Sequence, residues 1–374
     1  MEVILIGVAL FLAFNNGAND NFKGFATVWG SGTLSYQQAL MWATLATVAG
    51  SLASWLLADT LVQQFSGRGL VPNAIASAPT FILSVAAGAA LTVFAATRLG
   101  FPISTTHALI GGLVGAGLGQ AGSDVNFEKL VSTFLLPLLL SPVIAAGLGI
   151  ALYKLFANRV GQAATAGEVD CVCVVSADLA SPQPAYGDAA LRGMGVPVLL
   201  VADNITCDAQ APLARVPVSS LKKGLHVASA VTICFARSVN DTPKLAALLI
   251  AAKAFNQEVS IVLVGMLMAM GGLVFARKVA ETMSQRVTRL DDGQGLIANL
   301  VTAALVLLAS KFGLPVSTTH VSVGSIAGVG ASAKTLNWPA LRNVMLSWVV
   351  TLPLAGVIAW VVVKLGVNLA VNSA

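Results

Sequence analysis

The sequence predicts an all-α membrane protein that crosses the bilayer several times. Hydrophobic residues make up 56% of the 374 positions and charged residues only 10%, whereas about a quarter of the residues in a soluble domain are charged. Apolar stretches of roughly 20 residues, enough to cross the hydrocarbon core of a bilayer, recur along the chain. These stretches cover residues 39–58, 74–97, 130–153, 259–276, 295–310 and 343–363.

The polar motifs of the chain occur twice in the same order, which indicates an internal duplication. A Gly-Phe-Pro-Ile-Ser-Thr-Thr-His run ends at His107, and a Gly-Leu-Pro-Val-Ser-Thr-Thr-His run ends at His320. Each half also carries an Asn-Asp pair with a Lys three residues after the Asp, and later an acidic residue between Ala and Thr. These pairs are Asn19 with Asn240, Asp20 with Asp241, Lys23 with Lys244, and Asp59 with Glu281.

A polar stretch divides the two halves. Residues 160–222 lose the long apolar runs and gain Asp, Pro and Gly, while residues 169–175 and 196–201 are short β-branched segments that predict two strands. We therefore expect a first membrane repeat at 1–159, a small soluble insert at 160–222 and a second membrane repeat at 223–374. The insert contains Cys171, Cys173 and Cys207, which we interpret as structural thiols because the zinc-site spacing is missing.

The predicted topology has five crossings in each half. The fourth begins at the Ser-Thr-Thr-His run, and re-entrant hairpins are the alternative there because this segment is short and polar at one end. An odd number of crossings inverts the second repeat relative to the first, as in many secondary transporters.

Most loop lysines and arginines lie on the inner side when both termini are outside and the insert is inside. The net charge of +5 is then a loop property, and no nucleic-acid partner is expected.

Each half contains a charged interruption of an apolar segment. The apolar run at residues 3–14 is too short to cross a bilayer, and apolar character resumes only near residue 24. In the second half residues 237–244 interrupt the apolar segment, and Pro243 favours a break there. Because charge and irregular backbone persist in a bilayer only where they line a polar cavity, we expect two broken helices around one site.

The interruptions predict an anion site beside a cation site. Asp20 and Asp241 would hold a coupling cation, Na+ or H+, or accept a proton from the substrate; in soluble chains an Asn-Asp pair is more often a cap or a turn. Asp59 and Glu281 are either further coupling acids or solvated helix ends. The predicted substrate ligands at the interruptions are Asn19, Lys23, Asn240 and Lys244.

The Ser-Thr-Thr-His runs predict helix starts that bind an oxyanion. Hydroxyl groups and free backbone N–H groups at a helix start form an anion site, although an ordinary N-cap needs one such hydroxyl. His107 and His320 would relay protons or would be buried, hydrogen-bonded first-turn residues. The predicted anion-binding hydroxyls belong to Ser104, Thr105, Thr106, Ser317, Thr318 and Thr319.

Glycines in the segments that follow these runs predict close helix packing. They are Gly111 and Gly115 in the first half, and Gly324 and Gly328 in the second.

We find no metalloprotease, serine-hydrolase or P-loop motif in the sequence. The chain is therefore not expected to be an enzyme or to hold a cofactor.

The paired motifs resemble the inorganic phosphate transporter (PiT) family, whose duplicated signature reads roughly Gly-Ala-Asn-Asp. Residues 17–20 keep it whole, and the resemblance covers nearly the whole chain apart from residues 160–222. It implies an oxyanion carrier driven by Na+ or H+, with the site between the halves. The family continues its first motif with small residues and an Asn, where this chain has Asn21, Phe22 and Lys23; Ser238 and Val239 replace Gly-Ala in the second motif.

The sequence therefore predicts a cation-coupled symporter of inorganic phosphate in the cell (inner or plasma) membrane, whose halves rock around the site to give alternating access. Sulfate is the alternative cargo, since sulfate permeases also resemble this family, and an anion channel is a further alternative. Hydrogen phosphate can donate a proton to a carboxylate, whereas sulfate cannot. Besides the anion, the expected partner is the lipid bilayer, and a homodimer is compatible with these patterns.

Overall fold

The computed structural model describes residues 1–57, 59–164, 170–176, 197–210, 212–286 and 290–372, and most of these residues are helical. In the first half, a 3-10 turn at Lys23–Phe25 joins α1 to α2, and a π-helical stretch at Leu130–Leu135 joins α8 to α9. The helices are α1 (Glu2–Asp20), α2 (Ala26–Gly30), α3 (Tyr36–Leu57), α4 (Asp59–Phe65), α5 (Asn73–Ala76), α6 (Pro79–Leu99), α7 (Thr105–Gln120), α8 (Phe127–Lys129) and α9 (Leu136–Ala164).

The second half follows the insert and repeats this order with fewer short helices. The insert contributes β1 (Cys171–Ser176), β2 (Pro197–Ala202), α10 (Asn204–Ala209) and β3 (Ala214–Pro217). The remaining helices are α11 (Val218–Ala251), α12 (Gln257–Phe275), α13 (Arg277–Glu281), α14 (Asp292–Lys311), α15 (Thr318–Ser332) and α16 (Trp338–Asn372).

Seven helical segments within the described chain are long and apolar enough to cross a membrane, judged by length and composition. They confirm the predicted polytopic, all-α membrane protein. The helices α7 and α15 are shorter, and both begin among buried residues. They follow the left-handed residues Gly100 and Gly313, with φ of 76° and 66°, at which the chain leaves the preceding helix.

The two halves interlock, because equivalent helices exchange partners between them. The helix α1 packs on α12 of the second half, and its counterpart α11 packs on α3 of the first. Likewise α7 contacts α16, while α15 contacts α9. One continuous apolar cluster accordingly includes Leu12 and Val85 from the first half and Leu245 and Met268 from the second. Neither half can bury its polar helix starts without the other.

The insert is a small antiparallel sheet with the strand order β2-β1-β3. The two predicted strands are confirmed at Cys171–Ser176 and Pro197–Ala202. The third strand, Ala214–Pro217, was not predicted because it has four residues and ends in proline, so it shows no alternating pattern. The adjoining helices α9 and α11 cross the predicted boundaries of the insert, since they run to Ala164 and start at Val218.

The predicted helix breaks differ between the two halves. In the first half the helix persists through Asp20, and the break is confined to a turn at residues 21–22 and the 3-10 turn that follows. In the second half the predicted break is wrong, because α11 is one helix through residues 237–244 with Pro243 inside it. The polar side chains of α11 reach partners on neighbouring helices, so the backbone need not unwind to satisfy them, and membrane helices tolerate an interior proline in such surroundings.

The predicted glycine contacts are confirmed at the helix pairs that join the halves. A methyl group on Gly115 of α7 would overlap the carbonyl oxygen of Gly356 in α16, and one on Gly328 of α15 would overlap that of Ala146 in α9. Gly111 and Gly324 face the carbonyl oxygens of Leu352 and Pro142 in the same way. These backbones can touch only because the side chains are absent.

We predict that Gly115→Ala destabilises the protein. The added methyl group would force α7 away from α16, an overpacking cost of about 1–3 kcal/mol, and the melting temperature in detergent should fall. Gly147→Ala is the matched control, because Gly147 lies in α9 with no neighbouring atom within 4 Å of an added methyl. It should raise stability slightly, by up to about 1 kcal/mol, through helix propensity. Equal melting temperatures for the two variants would contradict this packing.

Candidate functional site

Charged side chains from α1, α11 and the turn after α1 converge on the starts of α7 and α15. Asp20, Lys23, Arg237, Asp241 and Lys244 are each at most 4% exposed. Burial of so many ionisable groups among membrane-spanning helices is costly unless each charge is paired, and it marks a functional region. The structure therefore brings the two predicted Asn-Asp motifs together with both Ser-Thr-Thr-His runs.

The Lys23 ammonium lies between the two halves. It contacts the carboxylate of Asp20, and it donates to the carbonyl oxygen of Ile103 at 2.6 Å and to the hydroxyl of Thr319 at 2.7 Å. The Thr319 hydroxyl donates to the same Ile103 carbonyl at 2.9 Å. Lys23 thus ties the extended segment before α7 to the first turn of α15.

The Lys244 ammonium repeats this arrangement from the other half. It donates to Asp241 Oδ1 at 3.3 Å, to the carbonyl oxygen of Val316 at 3.0 Å and to the hydroxyl of Thr106 at 2.8 Å. Val316 occupies in the second Ser-Thr-Thr-His run the place that Ile103 has in the first. Each lysine therefore binds a carboxylate and a carbonyl of its own half and a threonine of the opposite half.

The Asp20 carboxylate has further partners that Asp241 lacks. Its Oδ2 atom accepts from Asn16 Nδ2 at 2.8 Å and from the Thr105 hydroxyl at 3.1 Å. In contrast, Asp241 Oδ2 has no hydrogen-bond partner among the described residues, although Arg237 Nη1 lies 3.9 Å away. The two predicted coupling acids are thus in different electrostatic surroundings.

The predicted asparagine ligands position the helix starts. Asn19 Nδ2 donates to the Thr97 hydroxyl at 2.9 Å and to the Phe101 carbonyl at 3.0 Å, and its Oδ1 accepts from the Ile103 N–H. Asn240 Nδ2 donates to the Val316 carbonyl at 3.2 Å. Both asparagines hold the extended chain just before α7 or α15, so their observed contacts are internal.

The six predicted hydroxyls divide into caps and cluster members. Ser104 and Ser317 are N-caps that accept from the backbone N–H of His107 and His320 at 3.1 and 3.2 Å, so capping accounts for them. Thr318 is buried. The remaining hydroxyls, of Thr105, Thr106 and Thr319, contact the charged cluster.

Arg237 is a member of the site that the sequence analysis did not select. It is 1% exposed, and its guanidinium donates to the hydroxyls of Thr47 at 2.7 Å and Ser238 at 3.0 Å and lies 3.4 Å from Asn16 Oδ1. No partner for its Nε atom is found within the described chain. An arginine inside an apolar segment was the available signal, since such charges line cavities.

The cluster carries one surplus positive charge. In their ordinary ionised forms Lys23, Lys244 and Arg237 outnumber Asp20 and Asp241 by one cation. Each lysine is occupied by its own aspartate, so the surplus lies at Arg237. An enclosed, water-poor site with a net positive charge favours an anionic guest.

The second pair of predicted coupling acids is not part of this cluster as described. The Glu281 side chain is 42% exposed and forms an ion pair with Arg277 at 3.2 Å, which favours the interpretation as a solvated helix end. The side chain of Asp59 lies outside the described part of the structure. Asp20 and Asp241 alone are thus seen to face the starts of α7 and α15.

The two histidines stack together behind the helix starts. The ring centroids of His107 and His320 are 4.2 Å apart, and His320 is 3.8 Å from the ring of Trp348. His107 Nδ1 and His320 Nε2 have no hydrogen-bond partner in the described structure, and both residues line an apolar cavity of about 990 Å³. The proton relay stays a prediction, because no described hydrogen bond links these rings to the aspartates.

The cysteines of the insert converge as well. Cys171, Cys173 and Cys207 are fully buried, and their sulfur atoms lie within 4.8 Å of one another. Cys207 adjoins both others, but a sulfur atom can form only one disulfide, so one thiol is left over. The three side chains form the core of the insert together with Val175, in agreement with a structural role.

Comparisons with known proteins agree with this architecture. A protein of Pyrococcus furiosus that is named as a phosphate permease is 27% identical, over 96% of this chain and 94% of its own length. The chloroplastic inorganic phosphate transporter 2-1 of Arabidopsis thaliana is 27% identical, over 95% of this chain and 71% of its own length. A solved structure titled "The sodium-dependent phosphate transporter" shares the fold, with a TM-score of 0.75, 21% identity and coverage of 97% of this chain and 98% of that one.

The family model provides the decisive comparison. The model described as "Phosphate transporter family" matches residues 16–359, which contain both Asn-Asp motifs, both Ser-Thr-Thr-His runs and the insert. The chain is accordingly an integral membrane protein of a transport family and not an enzyme. The resemblance noted from the motifs is confirmed: this chain belongs to the phosphate transporter family.

Proposed function

We propose that this protein is a secondary active transporter that moves inorganic phosphate across a membrane, coupled to a cation gradient, by alternating access. The observation that carries this proposal is a buried, positively charged cluster in which one donor and one acceptor have no hydrogen-bond partner among the described residues. The donor is Arg237 Nε and the acceptor is Asp241 Oδ2. Family membership supports phosphate as the cargo.

Hydrogen phosphate matches both of these groups. Its negative oxygens can accept from the Arg237 guanidinium, since arginine suits tetrahedral oxyanions. Its own O–H can donate to Asp241 Oδ2, which lies within ion-pair distance of that guanidinium. A fully deprotonated oxyanion such as sulfate offers no donor and would face the carboxylate as a like charge.

Sulfate is the second candidate, because the Asp20 carboxylate, unlike that of Asp241, has hydrogen-bond partners for both of its oxygens. Asp20 is occupied by Lys23, Asn16 and Thr105, so it repels an approaching dianion less than a free carboxylate would. A conductive anion channel is less well supported, because the charged cluster is at most 4% exposed and is closed to solvent in this conformation. An occluded site suits a carrier that opens alternately to the two sides.

The interlocked halves provide the moving parts for alternating access. Lys23 and Lys244 each cross from one half to the other, so a relative rotation of the halves must alter contacts at the site itself.

We further propose that the second repeat is inverted, that residues 160–222 form a cytoplasmic domain and that both termini are outside the cell membrane. Protease cleavage of the insert only from the cytoplasmic face of sealed vesicles tests this orientation; cleavage from the outer face alone would reverse it. Dimerisation stays a prediction.

The transport proposal is tested with purified protein in proteoliposomes. Radiolabelled phosphate should accumulate saturably under an imposed inward cation gradient, and unlabelled phosphate should compete at least tenfold better than sulfate. Better competition by sulfate would transfer the proposal to sulfate transport. Uptake of neither anion would reject it, and non-saturable flux would favour a channel.

Arg237→Gln should reduce phosphate uptake at least tenfold, because it removes the surplus positive charge and leaves Asp241 without its guanidinium neighbour. Truncating one member of a buried charged pair costs about 2–5 kcal/mol. Arg277→Gln is the matched control, since its guanidinium is exposed at the helix surface, where it pairs with Glu281 and lies over the Tyr36 ring. Comparable uptake by both variants, at equal amounts of folded protein on size exclusion, would exclude Arg237 from the binding site.

Asp241→Asn should change specificity as well as rate. The substitution removes the negative charge that repels sulfate, so sulfate should compete with phosphate at least tenfold better than it does in the unmodified protein. Glu281→Gln, a change of the same kind at an exposed position, should leave the competition unchanged. An unaltered preference in Asp241→Asn would show that this carboxylate does not distinguish the two anions.

A further inference from the structure

We propose that the ammonium groups of Lys23 and Lys244 are resident cations that occupy the positions next to Asp20 and Asp241 where a coupling sodium ion would bind. Transport by this protein would then need no Na+. The inference rests on the proposed phosphate transport and deepens it, because it concerns the ion that accompanies the anion. It disagrees with the prediction from the sequence that these two aspartates bind Na+.

The surroundings of Lys23 Nζ are those of a hard cation. Its partners are a carboxylate oxygen of Asp20, the backbone carbonyl oxygen of Ile103 and the hydroxyl oxygen of Thr319. Carboxylate, carbonyl and hydroxyl oxygens are the ligand types that hard cations take from proteins. In transporters, carbonyl groups of interrupted backbone commonly supply such ligands to Na+, and Ile103 lies in an extended segment between two helices.

The same set of oxygens surrounds Lys244 Nζ. Asp241, Val316 and Thr106 supply the carboxylate, the carbonyl and the hydroxyl. Both lysine side chains are at most 4% exposed. Chance contacts would not give each lysine the same three kinds of oxygen from equivalent motifs of the two repeats.

These oxygen sets do not fit an additional sodium ion. An ammonium group has three N–H donors, and each lysine has three oxygen partners, so each ammonium is fully satisfied. A sodium ion at Asp20 would have to share ligands with the Lys23 ammonium. One at Asp241 Oδ2, which has no hydrogen-bond partner among the described residues, would lie beside both the Lys244 and the Arg237 cations. In a water-poor interior such like charges repel strongly. The lysines are fixed three residues from their aspartates, so they cannot leave the site by diffusion as an ion would.

This assignment also separates the roles of the cations. Lys23 and Lys244 have no donor left for a substrate in the described conformation, whereas Arg237 keeps Nε free. The lysines therefore neutralise the aspartates and hold the two halves together, and Arg237 is the group that receives the anion. A proton gradient drives uptake in this scheme when each hydrogen phosphate dianion crosses together with one further proton, that is, as dihydrogen phosphate.

The first test compares salts. Purified protein in proteoliposomes is given radiolabelled phosphate under one imposed proton gradient, with either Na+ or choline as the external cation at equal ionic strength. We expect uptake rates that agree within about twofold. A decrease of tenfold or more in choline would overturn the resident-cation proposal while leaving phosphate transport intact, and absence of uptake in both salts would overturn the transport function.

A binding measurement decides the proposal independently of transport. The melting temperature of the protein in detergent is followed as Na+ replaces choline, because an ion that binds only the folded state raises that temperature. The unmodified protein should show no difference between the two salts. A rise with Na+ concentration would mean that a sodium site exists, and would overturn the proposal if Asp20→Asn or Asp241→Asn abolished that rise.

Charge-removing variants complete the test. Lys23→Asn and Lys244→Asn remove the ammonium and leave an oxygen ligand, so Na+ should now raise their melting temperatures and increase phosphate uptake at least fivefold over choline. Lys253→Asn is the matched control; it lies at an exposed position with φ of 55°, a left-handed conformation that asparagine tolerates. Should the first two variants respond to Na+ no more than this control does, the lysines do not stand in for sodium ions.

Discussion

The structure depends on one constraint: five charged side chains are buried among the helices, and each must find polar partners in the protein instead of water. Lys23 and Lys244 meet that constraint by pairing with Asp20 and Asp241 and by reaching a hydroxyl in the opposite half. The charge pairs therefore act as the link between the repeats. Breaking such a link would leave a buried ion unpaired, so any movement that separates the halves costs free energy.

The packing follows from the same requirement. For a lysine near α1 or on α11 to reach the start of α15 or α7, the helix starts of both repeats must come within a few ångströms of one another. The glycines of α7 and α15 permit this approach, since the backbone at Gly115 touches α16 and the backbone at Gly328 touches α9. The last helix of each half consequently covers the short helix of the other half that begins with a polar turn, and the charged cluster is buried.

The two halves differ at one position of the charged cluster, and this difference would favour an anion. Arg237 of α11 corresponds in the duplicated sequence to Asn16 of α1, which donates to Asp20. A guanidinium in that place adds a positive charge, and neither its Nε nor Asp241 Oδ2 has a hydrogen-bond partner in the part of the chain that the structure describes. A dianionic guest is better accommodated by this one-sided arrangement than by two identical, internally neutral lysine–aspartate pairs.

The sequence by itself determined the membrane class, the duplication, the two strands of the insert, the packing glycines and the motif residues that meet in the charged cluster. These follow from composition, spacing and residue chemistry, which are local properties. Only the tertiary structure decided that α11 continues through Pro243, that Ser104 and Ser317 act as caps, and that Arg237 belongs to the site. Each of these depends on which partner across the helix interface satisfies a polar group, and the sequence of one segment does not contain that information.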